Sequence, residues 1–284
     1  MKFIIFGSSG FIGSSLSREL ATRGKSTFKI DKNLFLTILA DVRHFQKQVE
    51  QDDVIIFAAG KVPALTIDDV LYNLQISEQV SEILDKLKFA YFLNFSSDAV
   101  YPSINSSISE NTLVKPQSMH GITQFSREIL FNLRFEGRLG HIRSTAVYGI
   151  GDTHKGYGPN RFLRDALTKG CINLFGNGEE VRDHIYINDL IELAILMIHK
   201  RFTSITNAVS GQPFSFLEVS KIIQDLLPKT EINFISRDTA IDPQKIARIF
   251  DISLLKEEFP TFSSTPMNAA LNEVVYKLGN LNAL

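Results

Sequence analysis

Three glycines spaced by three, Gly7, Gly10 and Gly13, follow directly on the apolar run Phe3-Ile4-Ile5-Phe6. An apolar run closed by glycine and followed by helical spacing predicts a buried strand, a tight turn and a helix start. In such a turn Gly7 permits the sharp reversal and Gly10 lets backbone approach a bound pyrophosphate. Gly13 lets the helix pack close to the strand. The helix amino terminus then offers free N–H groups and the positive end of its dipole to the phosphates. Gly7, Ser9, Gly10, Phe11, Ile12 and Gly13 therefore read as a phosphate cradle. Glycine patterns are common in flexible loops, so the weight lies on context: an acid should close the second strand about 20 residues later. Asp31 does so, after Phe28-Lys29-Ile30. Its carboxylate can accept from both hydroxyls of an adenosine ribose, which favours NAD over NADP, although Lys32 beside it softens the preference. The plain alternative is a strand-ending aspartate beside a structural glycine turn.

Further strands are predicted at Thr27–Ile30, Val54–Ala58, Tyr91–Phe95 and His141–Ser144. Helices are predicted at Phe11–Thr22, Ile67–Leu87 and 121–134, the last with Phe125, Ile129, Leu130 and Leu133 on one face. Strands alternating with helices of this length imply a doubly wound parallel α/β sheet of the Rossmann kind. After Gly151 a polar, glycine-rich loop (Asp152–Pro159) leads to helices at Asn160–Thr168, Asn188–His199, Ser215–Leu226 and Pro266–Leu278. The expected organisation is a dinucleotide-binding domain over 1–150 and a smaller substrate-binding region over 151–284, interleaved with it. At 284 residues, 44% hydrophobic and 21% charged, the chain is ordinary for a globular cytosolic protein. A net charge of −1 gives no reason for nucleic acid or an anionic membrane as partner. The single cysteine, Cys171, excludes an internal disulfide framework and fits a reducing compartment. Phe3–Phe6 is too short for a signal-peptide core or a span, so the expected location is cytoplasmic. The histidines form no i, i+4 pair, and no metal site is expected.

With these residues in view, the chain resembles the extended short-chain dehydrogenase/reductase family: nucleotide-sugar epimerases, dehydratases and reductases. Asp41-Val42-Arg43 resembles its adenine-contacting segment, and Phe57-Ala58-Ala59-Gly60 the strand end lying against the cofactor. Asn73 falls where the family keeps an asparagine. Phe95-Ser96-Ser97-Asp98-Ala99-Val100-Tyr101 matches S-S-x-x-V-Y, placing Ser97 at the catalytic Ser/Thr position. Residues 143–149 resemble L-R-x-x-N-V-Y-G, with Ala146 where asparagine is common. Residues 174–189 resemble the G-x-G-x-x-x-R-D stretch that carries nucleotide-sugar contacts in relatives. The resemblance implies NAD as cofactor, with contacts from Gly7, Ser9, Gly10, Phe11, Ile12, Gly13, Asp31, Asp41, Val42, Ala58, Ala59, Gly60, Asn73 and Gln124. It implies nucleotide-sugar contacts at Ser97, Asn160, Phe175, Arg182 and Arg237, with Arg182 clamping the diphosphate. It also implies a homodimer through the helices that begin at Ile67 and after His120.

The departure comes where the chemistry should be. Relatives carry Y-G-x-[ST]-K; here His120-Gly121-Ile122-Thr123-Gln124 puts histidine for the tyrosine and glutamine for the lysine. In the family the lysine holds the nicotinamide ribose and its charge lowers the tyrosine pKa. Gln124 can still donate a hydrogen bond but brings no charge. Histidine titrates near neutrality unaided and is usable as a base without it. Two readings stand. In one, Ser97 and His120 serve hydride exchange at a sugar carbon; an intermediate possibility is an unusual reaction in place of the family's own, with Asp98 as the acid. In the other, the protein binds a dinucleotide or nucleotide sugar without turnover, as a regulatory or partner subunit.

Overall fold

The structure is a computed structural model that describes residues 1–104, 106–152, 156, 158–236 and 247–281. In chain order the elements are β1 (Phe3–Phe6), α1 (Phe11–Thr22), β2 (Thr27–Ile30), α2 (Lys32–Ala40), α3 (Val42–Gln46), β3 (Val54–Phe57), α4 (Ile67–Asp85) and β4 (Tyr91–Ser97). A 3₁₀ turn (Asp98–Val100) precedes α5 (Met119–Phe135) and β5 (Leu139–Ser144). Then come β6 (Ala146–Tyr148), α6 (Pro159–Lys169), β7 (Cys171–Phe175), β8 (Val181–Arg182), β9 (His184–Tyr186), α7 (Ile187–Lys200) and β10 (Ile205–Ala208). The chain ends through β11 (Phe214–Ser215), α8 (Phe216–Leu226), β12 (Glu231–Ile235), α9 (Ser253–Glu258) and α10 (Met267–Leu281).

Contacts divide the chain into two units. The first holds residues 1–102, 110–144 and 191–208, and the second 103–109, 145–190 and 209–284. The expected boundary at residue 150 is therefore corrected. Residues 103–109 and 145–150 belong to the second unit, and 191–208 return to the first because β10 pairs in parallel with β5 and completes its sheet.

That sheet has six parallel strands in the order β10-β5-β4-β3-β1-β2. β1 and β3 are buried along their whole length, which is why both read as unbroken apolar runs. β1 is followed on one side by β2 and on the other by β3, so the winding reverses there and leaves a crevice at the carboxyl ends of β1 and β3. The chain has no tryptophan and 22 phenylalanines, and rings from β1, β3, β4 and α5 fill the core of this unit. Phe131 of α5 lies 5.1 Å from Phe57 and 4.8 Å from Phe92, ring centroid to ring centroid, and Phe135 lies 5.1 Å from Phe92. Each buried ring stabilises the fold by roughly 1.5–3 kcal/mol. The apolar stripe of α5 is not, as a whole, the face turned to the core. Ile129 and Leu133 are exposed, while the face turned to the core carries Gln124, Arg127, Glu128, Phe131 and Phe135. Charge is tolerated there because Glu128 is paired with Arg143, while Arg127 donates to Gln124 Oε1 and the Ala59 and Phe95 carbonyls.

The second unit contains three strand pairs, β6 with β9, β7 with β12 and β8 with β11. Its loops are tied by carboxylates. Asp183 accepts from the backbone N–H groups of Ser210 and Gly211, both at 2.8 Å, and Asp189 accepts from Thr265 N–H at 2.8 Å and its hydroxyl at 2.6 Å. No helix among the described residues is long and apolar enough to cross a membrane.

One buried group gives the first unit a pH dependence. His141 accepts at Nδ1 from the Asn94 amide (3.0 Å) and donates from Nε2 to Asn132 (3.1 Å), an arrangement that only the neutral ring satisfies. Burial pushes its pKa down from 6.5 to about 4. The unfolded chain therefore binds an additional proton between these values, and stability falls as pH drops through that window, by roughly 3 kcal/mol if the whole shift is realised. Urea unfolding followed by circular dichroism should show a lower midpoint near pH 5 than near pH 7, with a smaller drop in His141→Gln. Equal drops in the two proteins would refute the assignment.

Candidate active site

The glycine turn takes the geometry its sequence demands. Gly7 has φ +86°, and a Cβ on it would lie 2.6 Å from the Ala58 carbonyl oxygen. A Cβ on Gly13 would lie 2.2 Å from the Gly7 carbonyl oxygen, so this glycine is needed for closeness to the turn rather than to the strand. Gly10 is different. A Cβ there would meet only an ordinary contact at 3.4 Å, so the protein itself does not require glycine at this position and the space above it suits a ligand. Gly10 also caps α1 without a side-chain acceptor, which leaves first-turn N–H groups facing outward.

The crevice at this turn is a cleft of about 690 Å³, within the range of small-molecule sites. Gly7, Ser9, Gly10, Asp31, Ala58, Ala59 and Gly60 line it, bringing seven of the expected cofactor residues onto one surface. Phe11, Ile12 and Gly13 lie within α1 and do not line it. Asp41 caps α3 through His44 N–H (3.1 Å), and Val42 packs against the core, so neither borders the cleft. Asn73 is buried, and its amide is spent on the backbone of Lys61, accepting at 2.7 Å and donating at 2.9 Å. It fixes the wall that contains Gly60 and Lys61.

Sequence reasoning missed part of the lining. Lys61 and Asp69 face the cleft as an ion pair at 2.5 Å, which holds the Asp69 carboxyl well below its ordinary range. The available signal was the Thr66-to-Asp69 capping box that starts α4. Asp31 has two tasks: one oxygen accepts from Leu34 N–H at 2.8 Å and caps α2, while the residue still lines the cleft. The lining fits an adenosine dinucleotide: a phosphate turn, an acid for ribose hydroxyls and an apolar wall from Phe6, Ile30 and Phe35.

At the carboxyl end of β4, Ser97 Oγ accepts from Ala99 N–H (3.2 Å) and lies 3.4 Å from Asp98 Oδ1. Helix α5 starts close by: a Cβ on Gly121 would stand 2.1 Å from the Ala99 carbonyl oxygen, so only glycine allows this approach. The approach brings the first turn of α5, with half-buried His120, to the Ser97–Ala99 turn. Gln124 lies one turn later, 3% exposed, and its Oε1 accepts from Arg127. Glu128 accepts from Arg143 twice, at 2.9 and 2.6 Å, and from Ser96 Oγ. Burial opposes a charge on Glu128, yet the Arg143 fork holds its carboxyl below the ordinary range.

In the second unit, Asn160 accepts from Gly149 N–H at 3.0 Å and donates to Asp152 at 2.5 Å. Arg182 pairs with Glu180, and Phe175 ends β7 with its ring partly exposed. Asp183 orients backbone but not Arg182. Arg237 lies outside the described residues, as does Tyr157.

The model of the NAD dependent epimerase/dehydratase family matches residues 3–208, well over half of the chain. The chain belongs to this family. Its cofactor is accordingly NAD, and its chemistry is of the epimerase/dehydratase type. Curated relatives include ADP-L-glycero-D-manno-heptose-6-epimerase of Cupriavidus pinatubonensis (strain JMP 134 / LMG 1197), 25% identical over 266 residues, which covers 81% of this chain and 80% of that one. The uncharacterized UDP-glucose epimerase YtcB of Bacillus subtilis (strain 168) is 24% identical over 312 residues and covers 97% and 98%. Among solved structures, UDP-glucuronic acid 4-epimerase from Bacillus cereus, in complex with UDP-glucuronic acid and NAD, has a TM-score of 0.83 at 20% identity, covering 99% of this chain and 100% of that one. An NAD-dependent NDP-hexosamine 5,6-dehydratase involved in tunicamycin biosynthesis has a TM-score of 0.83 at 17% identity, covering 98% of each. At these identities the structural likeness concerns the fold.

Asp31→Ser keeps an acceptor for Leu34 N–H but removes the carboxylate. Calorimetry should show NAD binding weakened by about tenfold or more, a narrower preference against NADP, and little change in melting temperature. Unaltered NAD affinity would rule out the ribose role.

Proposed function

We propose that this family member is a nucleotide-sugar epimerase or dehydratase in which Ser97 and His120 serve the reacting oxygen. The observation that carries this is the approach of α5 to the Ser97–Ala99 turn through Gly121, at the carboxyl end of the strand next to the NAD cleft. When bound, NAD supplies a hydride acceptor and donor for a sugar carbon. Ser97 Oγ donates a hydrogen bond to the sugar oxygen, and the His120 imidazole takes up its proton and returns it. Asp98 is the second candidate acid. Asn160, Phe175, Arg182 and Arg237 are proposed to contact the nucleotide sugar. The relatives' names point to a nucleoside diphosphate sugar as the substrate class. A cytoplasmic location is part of the same reading.

A homodimer belongs to the proposal as well. Helices α4 and α5 expose the large apolar side chains Leu71, Ile129 and Leu133, the last 81% exposed. Leu133→Asp should convert a dimer to a monomer in sedimentation velocity with the fold intact; a parent that sediments as a monomer would end this part.

For the chemistry, the decisive variant is His120→Ala. Mass spectrometry of the denatured protein should find NAD or NADH in parent and variant alike. Turnover of UDP-glucose or UDP-glucuronic acid, taken as probes, should be lost only in the variant. Equal turnover would exclude His120, and NAD binding by the parent with no turnover across a panel of nucleotide sugars would favour the non-catalytic reading.

A further inference from the structure

Helix α5 buries a cation for which the unit offers no carboxylate. Both oxygens of Glu128, the neighbouring acid, are engaged by Arg143 and Ser96. Arg127 is 3% exposed, and its partners are neutral. It donates to the Ala59 carbonyl (3.2 Å), the Phe95 carbonyl and Gln124 Oε1, and lies 5.1 Å from the Phe57 ring centroid. Burial lowers its pKa to about 10, which leaves it charged at any ordinary pH. A buried guanidinium whose hydrogen bonds all go to neutral groups is costly, the nearby Glu128 being engaged by Arg143.

Its place agrees. Ala59 and Phe95 lie at the carboxyl ends of the adjacent strands β3 and β4, and Ala59 and Gly60 line the NAD cleft. A Cβ on Gly60 would be 3.7 Å from the guanidinium, so Arg127 sits directly under the cleft floor.

The guanidinium also determines how Gln124 faces. Arginine can only donate, so the glutamine must turn its oxygen toward it. The amide NH₂ is thereby directed away from Arg127, and no described residue accepts from it. Arg127 thus makes a freely rotating amide into a fixed two-proton donor one turn beyond His120.

Gln124 does not itself line the cleft; we propose that Arg127 is a positioning residue of this site, which locks the Gln124 amide as a hydrogen-bond donor to the part of the dinucleotide that extends beyond Ala59 and Gly60 and supplies fixed positive charge beneath the cleft floor. The proposal rests on the cleft being the NAD site and is independent of the role of His120. The two residues form one unit, so a cation at position 124 would face a cation already present.

Two variants of the intact protein test this. Gln124→Glu places a carboxylate against Arg127 and removes the donor. It should melt at or above the parent temperature and bind NAD at least about tenfold more weakly by calorimetry. A purely structural Gln124–Arg127 contact would leave NAD affinity unmoved, and that result, or a melt below the parent's, overturns the proposal. Gln124→Lys should melt below the parent, and adding Arg127→Leu should raise the melt of Gln124→Lys again; a Gln124→Lys protein as stable as the parent would also overturn it. A parent that binds no NAD would instead refute the assignment of the cleft, so the two failures are distinguishable.

Discussion

Helix α5 is fixed to the sheet by a buried fork, Arg143 of β5 donating twice to Glu128, and the geometry of the candidate site depends on that bond. Arg143 also donates to Tyr101 at 2.9 Å, which donates to Asn207 of β10 at 2.8 Å, so three strands and the helix share one polar network. Breaking such a pair by removing one partner typically costs about 3–5 kcal/mol, because the other charge stays buried. The fork sets the rotation of α5 about its axis. With Glu128 turned inward, Gln124, Arg127, Phe131 and Phe135 must also turn inward at helical spacing, and Ile129 and Leu133 must turn out. Gly121 then sets the distance, since its missing Cβ is what lets the first turn reach Ala99.

How far this was legible in the sequence follows from which interactions are local. Strands β1 and β3 and helix α1 were readable because burial on both sheet faces demands unbroken apolar runs and the glycine turn marks the helix start. Helix α2 was overlooked because Asp31 was read for a single task. Its cap bond to Leu34 N–H is the local signal of a helix, and a ribose acceptor at the same residue does not exclude it. Strand β10 could not be read locally: Ile205-Thr206-Asn207-Ala208 carries two buried polar residues, and Asn207 is supported only by distant partners, the Tyr101 hydroxyl at its side chain and the Glu110 carboxylate at its N–H at 2.8 Å. The same non-local pairing moved the unit boundary.

The site shows the same division. The cleft residues contributed by the glycine turn and the strand ends were readable, because parallel sheets place ligands at the carboxyl ends where the winding reverses. The face of α5 was not, since an apolar stripe of Phe125, Ile129, Leu130 and Leu133 is the ordinary mark of a core-facing helix. Here the polar face is the inner one, and only the partners Arg143, Ser96, Ala59 and Phe95, all distant in sequence, make that affordable.

The placement of the charge also bears on the proposed use of His120 as the base. A tyrosine base reacts as its anion, so a cation one turn away favours the reactive form. An imidazole reacts as the neutral ring and must then carry a positive charge, so a cation at position 124 would oppose the proton uptake it is needed for. Here position 124 carries a neutral amide, and the positive charge is held by Gln124 Oε1 and the Phe95 and Ala59 carbonyls, against the cleft floor. In the role proposed for His120, the histidine and the cation at position 127 form one change rather than two losses: no charge on the residue one turn from the proposed base, and a positive charge kept under the cleft floor.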